Sequence, residues 1–547
     1  MKLSAAIANS LWGLANLPAT LRFRRALPSP GAAQRDRLHD YLEHNERTAF
    51  GRAHHFNSIR SYEEFARRVP LRDYEELLPW IERIRHGETN VLTHETVTHL
   101  VPTSGSTSAR KLIPFTRGLQ REFNAGIGPW LCDLYRQIPR LAGGPAYWSI
   151  TPALQDTQAE SSAVPIGFEA DTAYLGGAKK RLVEAVMAVP SAVQRVASLD
   201  AFRYATLLAL LRCRELRLIS VWHPSFFSLL LDALPSHWEP LLDDVDRGGC
   251  RFANAFAETK RNELNSSPMP KRARELSRLN PLQPETLWPK LCLISCWGDG
   301  AAAMAMRELR RRFPRTRFQV KGLLATEAFV TFPFGAHQPL AITSHFFEFI
   351  DDQGRAHLAD GLREGGEYEV TVTMGGGLWR YRMGDRVAVN GWAGQTPSLR
   401  FLGRSVNVSD RCGEKLSEAF VGEVLSDIFR HGVPRFVLLA PDEDAGGCRY
   451  TLYVEGAPPP DVAEALDSAL RRNPQYAWCR DLGQLLPPRL FVIASDGFAC
   501  FVERLAASGA RLGDIKPAAL SRLPGWSGIF AGRYLPPPIA AAIAIMR

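Results

Sequence analysis

A chain of 547 residues exceeds what one hydrophobic core usually serves, so two or more domains are expected. An apolar fraction of 46% and a charged fraction of 22% are those of an ordinary folded protein and exclude extensive disorder. The net charge of +9 is modest and spread out, so it leaves no nucleic-acid footprint, and no run reaches the roughly 18 uninterrupted apolar residues of an integral membrane segment.

Residues 1–27 are amphipathic and end in Arg22, Arg24 and Arg25. They lack an apolar core followed by a small-residue cleavage site, so a helix packed on its domain is expected rather than a secretory signal. Helices follow at 35–46, 61–66 and 74–84, then extended segments on either side of residues 103–111, then a helix over 119–135. Leu216 to Val221 is a short apolar strand, and His223-Pro224-Ser225 caps a helix over 226–234. From about 288 the cadence becomes βαβ: strands 290–297 and 317–324 enclose a helix at 301–313, which implies a parallel sheet. Antiparallel strands are expected at 345–350, 367–373, 386–389 and 399–402. The chain turns polar near 404–413, and a compact unit follows with helices 414–431 and 462–471 and strands 436–440, 450–454 and 490–494.

The expected fold is α/β. A large N-terminal domain (1–408) has sheets of mixed β topology covered by helices, and a hinge joins it to a small α+β domain (409–547). The nine cysteines are odd in number, scattered from Cys132 to Cys500 and without a CxxC pair, which reads as free thiols in a reducing cytoplasm with no metal cluster.

Three segments carry chemistry. In Thr103-Ser104-Gly105-Ser106-Thr107-Ser108-Ala109, six of seven residues bear a hydroxyl or are glycine, and Arg110-Lys111 adds charge. Such a loop can wrap a polyphosphate, although the same residue types crowd ordinary linkers and the Walker A ending is missing. The second segment, Gly322 to Glu327, follows a parallel strand, where open α/β sheets bind ligands. Thr326 can donate to phosphate, and Glu327 can hold Mg²⁺ or simply begin a helix. The third is Trp379-Arg380-Tyr381-Arg382-Met383-Gly384-Asp385, where Gly384 permits a turn and Asp385 offers two acceptors for vicinal ribose hydroxyls. Arg404 lies 19 residues further on, at the expected hinge. His337, His345 and Glu348 read as strand and turn residues.

This order of motifs resembles the adenylate-forming superfamily of luciferases and acyl-CoA ligases. Ser104 to Thr107 leading to Lys111-Leu112-Ile113-Pro114-Phe115-Thr116, Cys296-Trp297, Lys321 to Glu327, Tyr381 to Asp385 with Arg404, and Glu414 to Glu418 narrow it. So do Asn473 to Tyr476, Gly483 to Leu485 and Gly513 to Lys516. Together they are similar to the Gretchen Hagen-three family of acyl acid amido synthetases, closer to its bacterial branch, over about 35–520.

The resemblance implies that Ser104, Gly105, Ser106 and Thr107 hold the ATP phosphates. It also implies that Thr326 contacts the α-phosphate, Glu327 holds Mg²⁺, Asp385 binds ribose, and Arg404 sits near ribose and phosphate. Lys415 would reach the phosphate or the adenylate, and Lys516 is a second late lysine that could enter the site. The implied partners are a small carboxylic acid and an amine or amino acid. The implied reaction forms an acyl-adenylate and then an amide. A thiol acceptor, or nucleotide binding without turnover, is the alternative. The sequence names neither acid nor amine, and it leaves the oligomeric state open. Leu323 stands where related enzymes often carry an aromatic residue to stack on adenine, and Ala109-Arg110 replaces Gly or Pro in the loop.

Overall fold

Two helices of the first unit form where the sequence supplies both a cap and an apolar stripe. Tyr74–Arg85 starts from a capping box, with Asp73 N–H donating to the Glu76 carboxylate at 2.9 Å, and buries Tyr74, Leu77, Ile81 and Ile84. Arg117–Gln137 begins under Thr116, whose hydroxyl accepts the Leu119 N–H at 3.1 Å. These elements belong to a computed structural model that describes residues 3–103, 111–148, 162–167, 177–195, 198–256, 267–299, 302–404, 408–444, 447–507, 515 and 517–535. Contacts divide the chain into two compact units, one of Met1–Trp297 with Leu309–Phe401, the other of Gly298–Glu308 with Leu402–Arg547.

In the first unit, β1 (His99–Pro102) and β2 (Leu112–Phe115) form an antiparallel pair, extended by Thr103 N–H donating to the Lys111 carbonyl at 2.9 Å. The expected parallel sheet is present: β3 (Ala146–Trp148), β4 (Leu218–Ser220), β5 (Leu293–Cys296) and β6 (Arg317–Val320), in that order. Helix Ala302–Arg312 joins β5 to β6, as the cadence predicts. A second sheet runs β11-β10-β9-β7-β8 from β7 (Phe346–Ile350), β8 (Ala356–His357), β9 (Glu367–Thr373), β10 (Tyr381–Ala393) and β11 (Thr396–Arg404). Its β7–β8, β7–β9 and β9–β10 pairs are antiparallel. All of β7 is buried, Glu348 included, so the residues with which it packs must supply a cation.

Helix Leu3–Ala26 packs on this unit, as expected, burying Trp12 and Phe23, but it is apolar on both sides rather than amphipathic. Asn9 ties it down: Nδ2 donates to the Ala142 and Gly144 carbonyls at 3.1 Å, and Oδ1 accepts from Tyr135 at 2.8 Å. Ile7, Leu11, Leu14, Leu17 and Leu21 face outward on the same helix. Among the described residues no helix is long and apolar enough to cross a membrane.

The second unit is α+β. The short strands β12 (Val408–Ser409) and β13 (Leu416–Ser417) pair antiparallel. A four-stranded sheet follows: β14 (Phe436–Asp444), β15 (Gly447–Glu455), β16 (Arg489–Ile493) and β17 (Gly532–Tyr534), in sequence order. Only the β15–β16 pair of this sheet is parallel, and Val462–Leu470 and Pro474–Asp481 form its crossover. The helix expected from Glu414 starts at Glu418 instead, because pairing of β13 holds Leu416 and Ser417 extended. Ser417 then caps it, accepting the Phe420 N–H at 3.3 Å. Helices Pro474–Asp481 and Gly497–Ala507 lie outside the elements expected from periodicity. Asn473-Pro474 signals the first, since Asn473 Oδ1 accepts two N–H groups and Pro474 is preset for the opening turn.

Candidate active site

The Ser/Thr-rich loop springs from the β1–β2 pair. Ser104, Gly105, Ser106 and Thr107 lie outside the described residues, as does Lys516. The loop's two ends are described, and they meet through the Thr103–Lys111 backbone bond. Lys111 Nζ donates to Tyr381 Oη at 3.3 Å and stands over the Tyr74 and Tyr381 rings, 5.5 and 5.8 Å from their centroids. The end of the first motif therefore touches the start of the third.

Glu327 is not the start of a helix. Thr326 and Glu327 form the tip of a turn in which Ala325 N–H donates to the Ala328 carbonyl at 3.0 Å, with Leu324 bridged to Phe329. Thr326 is half-buried and Glu327 is 5% exposed. Gly322 opens this segment against the Thr331 backbone, so close that a Cβ there would collide with the carbonyl. Leu323 packs in the apolar core at 8% exposure instead of presenting a face for adenine.

Asp385 is not in a hairpin turn either. It lies inside β10, which slips register against β9 between Arg382 and Arg386, and Gly384 takes φ 74 in this bulge. Asp385 is 2% exposed. Arg380 and Arg382 hold the strand. Arg380 Nη2 meets Glu348 Oε1 at 2.7 Å and its Nη1 donates to the Ala66 and Val69 carbonyls, while Arg382 Nη2 meets Glu369 at 2.7 Å. Tyr62 donates to Glu348 at 2.8 Å, and burial together with that carboxylate pushes its phenol well up.

A buried network links the backbones that carry the motifs. Glu122, on helix Arg117–Gln137, accepts the Gly375 N–H at 3.1 and 3.0 Å and lies 2.8 Å from His345 Nδ1. His345 Nε2 accepts the Phe329 N–H at 3.0 Å, which anchors the backbone just after the Thr326–Glu327 turn. The Gly375 carbonyl in turn accepts from Thr93 at 3.1 Å and from Thr116 at 3.3 Å, and Thr116 directly follows β2. His345 and Glu348 are thus structural, as the sequence suggests, but buried, His345 hydrogen-bonded to Glu122 and Glu348 ion-paired with Arg380.

Arg404 and Lys415 belong to the second unit. Arg404 ends β11. Lys415 takes the left-handed φ 45 with its side chain exposed. The cause is Glu414, fully buried, whose carboxylate accepts the Arg411 and Cys412 N–H groups at 2.8 and 2.7 Å and the Tyr450 hydroxyl at 2.5 Å. The tight loop around that carboxylate turns Lys415 outward.

Two residues gain weight that the sequence reading did not give them. Lys321, at the end of β6, is 9% exposed, and burial draws its ammonium down to about 7. Its Nζ stands 4.4 Å from the centroid of the Trp222 ring. Trp222 is 37% exposed. The available signal was a lysine directly after an apolar strand in a βαβ unit, where ligands gather.

Residues 20–318, 338–404 and 420–524 match the GH3 family N-terminal, central and C-terminal domains. The probable indole-3-acetic acid-amido synthetase GH3.4 of Oryza sativa subsp. japonica is 25% identical over 517 residues, covering 83% of this chain and 80% of that protein. The fold matches the AtGH3.15 acyl acid amido synthetase in complex with 2,4-DB at a TM-score of 0.82 and 19% identity, covering 92% of this chain and 94% of that one. It also matches a 2-hydroxyisobutyryl-CoA ligase in its postadenylation state at a TM-score of 0.52 and 12% identity, covering 88% and 94%. With all three domains matched in order, the chain belongs to the GH3 family, the Gretchen Hagen-three family of acyl acid amido synthetases.

Proposed function

We propose that this chain adenylates a carboxylic acid with ATP and passes the acyl group to an amino acid or other amine. The products are an amide, AMP and pyrophosphate. The enzyme is a ligase forming C–N bonds through an acyl-adenylate, in line with the amido synthetases it resembles. The observations that support the reading are the bond from Lys111, at the end of the Ser/Thr segment, to Tyr381, at the head of the strand that carries Gly384 and Asp385, and the buried network that anchors Phe329 just after the Thr326–Glu327 turn.

In this reading Ser104, Gly105, Ser106 and Thr107 take the phosphates, Thr326 takes the α-phosphate, and Asp385 takes the ribose hydroxyls. Glu327 fits Mg²⁺: it is a buried carboxylate at a turn tip beside a hydroxyl, and this hard ion takes one or two protein carboxylates plus phosphate oxygens. Bound there, Mg²⁺ would neutralise phosphate charge as the acid's carboxylate approaches. Arg404 and Lys415 would offset the negative charge on the oxygens of the pentacoordinate phosphorus. Residues 409–547 act as a small mobile domain turning about a hinge near 404–412.

The chain is read as nearer the family's bacterial branch than its plant hormone enzymes. It is also read as cytoplasmic, since all nine cysteines are free thiols.

Pyrophosphate release with ATP, Mg²⁺ and a panel of aryl and alkyl acids tests this, run with and without amino acids. Release that requires an acid, lost in Glu327→Ala and Asp385→Ala, is expected, with an amide as product. A thioester product in the presence of CoA would reassign the acceptor. No release despite ATP binding would sink the reading.

A further inference from the structure

Strands β4, β5 and β6 run parallel, so their C-terminal ends finish on one edge. The ladder continues past the strands. Trp297 N–H donates to the Trp222 carbonyl at 2.8 Å, and Lys321 N–H donates to the Cys296 carbonyl at 2.9 Å. This sets Trp222, Trp297 and Lys321 side by side at the edge. The two indoles meet at 61° with centroids 6.2 Å apart, and the Lys321 ammonium rests on the Trp222 face at 4.4 Å.

The ammonium is out of place as a purely structural group. The buried Arg380 and Arg272 each have a carboxylate, Glu348 at 2.7 Å and Glu275 at 2.9 Å. Among the described residues no carboxylate pairs with Lys321, and the neighbouring ionisable group is the Cys296 thiol. A buried cation without a counter-ion is costly, and cation–π contact offsets that cost only in part. A half-exposed tryptophan beside it leaves apolar surface open at the same place.

We propose that Lys321 receives the carboxylate of the acyl acid, with Trp222 and Trp297 meeting the acid's apolar body. The inference rests on the adenylating function proposed above and assigns its acid subsite. The ligand class is a monocarboxylate with an apolar body. A compact ammonium suits this task because it grips the carboxylate as a point charge and leaves one oxygen to attack phosphorus. Incoming carboxylate also holds Lys321 in its charged form, so the ion pair exists only when the acid is bound.

The test compares the wild type with Lys321→Met and Lys321→Arg, using benzoate, indole-3-acetate and octanoate, each beside its neutral primary amide. Binding without ATP is read by tryptophan fluorescence, and turnover by pyrophosphate release. The wild type is expected to bind an acid more tightly than its amide. Lys321→Met should raise the KM for the acid roughly 10- to 100-fold, the loss of a charged hydrogen bond. The KM for ATP should stay within about twofold, since the lost interaction is with the acid alone. Amide binding should not change, and Lys321→Arg should recover part of the acid preference. An acid KM unmoved by Lys321→Met, or acid and amide weakened equally, would overturn the assignment, because a packing role moves both ligands together. If Met is not tolerated, Lys321→Gln takes its place. Acid-over-amide binding that depends on Lys321 without any pyrophosphate release would keep the subsite and reject adenylation. No acid preference in the wild type would reject the subsite.

Discussion

His345 Nδ1 lies 2.8 Å from Glu122 Oε2, joining β7's leading edge to a helix 223 residues earlier in the chain. Because His345 Nε2 accepts the Phe329 N–H, the ring proton must sit on Nδ1 and be donated to Glu122. One carboxylate thereby fixes a tautomer, and the tautomer fixes the backbone behind the Thr326–Glu327 turn.

Glu122→Ala should then be more damaging than a lost contact. It strands the His345 N–H and the Gly375 N–H in a buried setting, at a cost of about 3 kcal/mol or more. Glu122→Gln can place its amide oxygen where Oε2 accepts from both His345 and Gly375, so a smaller loss is expected. Urea unfolding and pyrophosphate release measured on the same samples check this. Glu122→Ala as stable as wild type would contradict the buried hydrogen-bonded network.

Arg380 offers a second test. It is 4% exposed, takes φ 49, and holds Glu348 with Nε and Nη2 while Nη1 binds two carbonyls. Lysine cannot reproduce that fork, so Arg380→Lys should cost stability nearly as much as Arg380→Ala, about 3–5 kcal/mol for an orphaned buried carboxylate. Arg380→Lys with Glu348→Gln should recover part of the loss. The double-mutant cycle by denaturant titration reads the coupling directly.

The Lys321 ammonium gives stability a pH dependence of definite sign. Burial lowers it from 10.5 to about 7, so between those values the unfolded chain binds more protons than the native one. Stability from this group therefore rises with pH across that window and is lost as pH falls through 7. Cys296, pushed up to about 12 by burial, gives an opposite slope where the unfolded thiol ionises, and because the wild type and Lys321→Met both carry it, it cancels in their difference. Lys321→Met should remove the slope and stabilise the protein most at the acid end. Melting temperatures of both proteins from pH about 6.5 to about 9.5 show it, and a constant difference would rule the shift out.

Lys415 should affect rate before affinity. Lys415→Ala is expected to lower pyrophosphate release roughly 10²- to 10³-fold, the range for loss of one group aimed at transition-state charge. Its KM for ATP should move less than about threefold. Glu414→Ala should lower the rate as well, because the loop that turns Lys415 outward depends on that carboxylate. A pure KM effect in Lys415→Ala would place the lysine in ground-state binding instead.

Local chemistry made much of this readable from residues alone. Apolar runs such as Glu367 to Thr373 become strands because burial rewards them wherever they pair, and that strand has the expected bounds. Asp73 with Glu76, and Thr116 before its helix, start helices through bonds spanning a few residues, so no distant partner is needed. The order of the three motifs is likewise a property of the chain. Tertiary structure alone decided that Glu327 ends a turn rather than starting a helix, and that Gly384 opens a bulge rather than a hairpin. In both cases a paired neighbouring strand overrides local preference. Only the fold could show that Glu122, His345 and Phe329 form one hydrogen-bonded line, or that Lys321 rests on Trp222. Those partners lie far apart in sequence, and an ion or a ring carries no periodic mark of what it will meet once water is excluded.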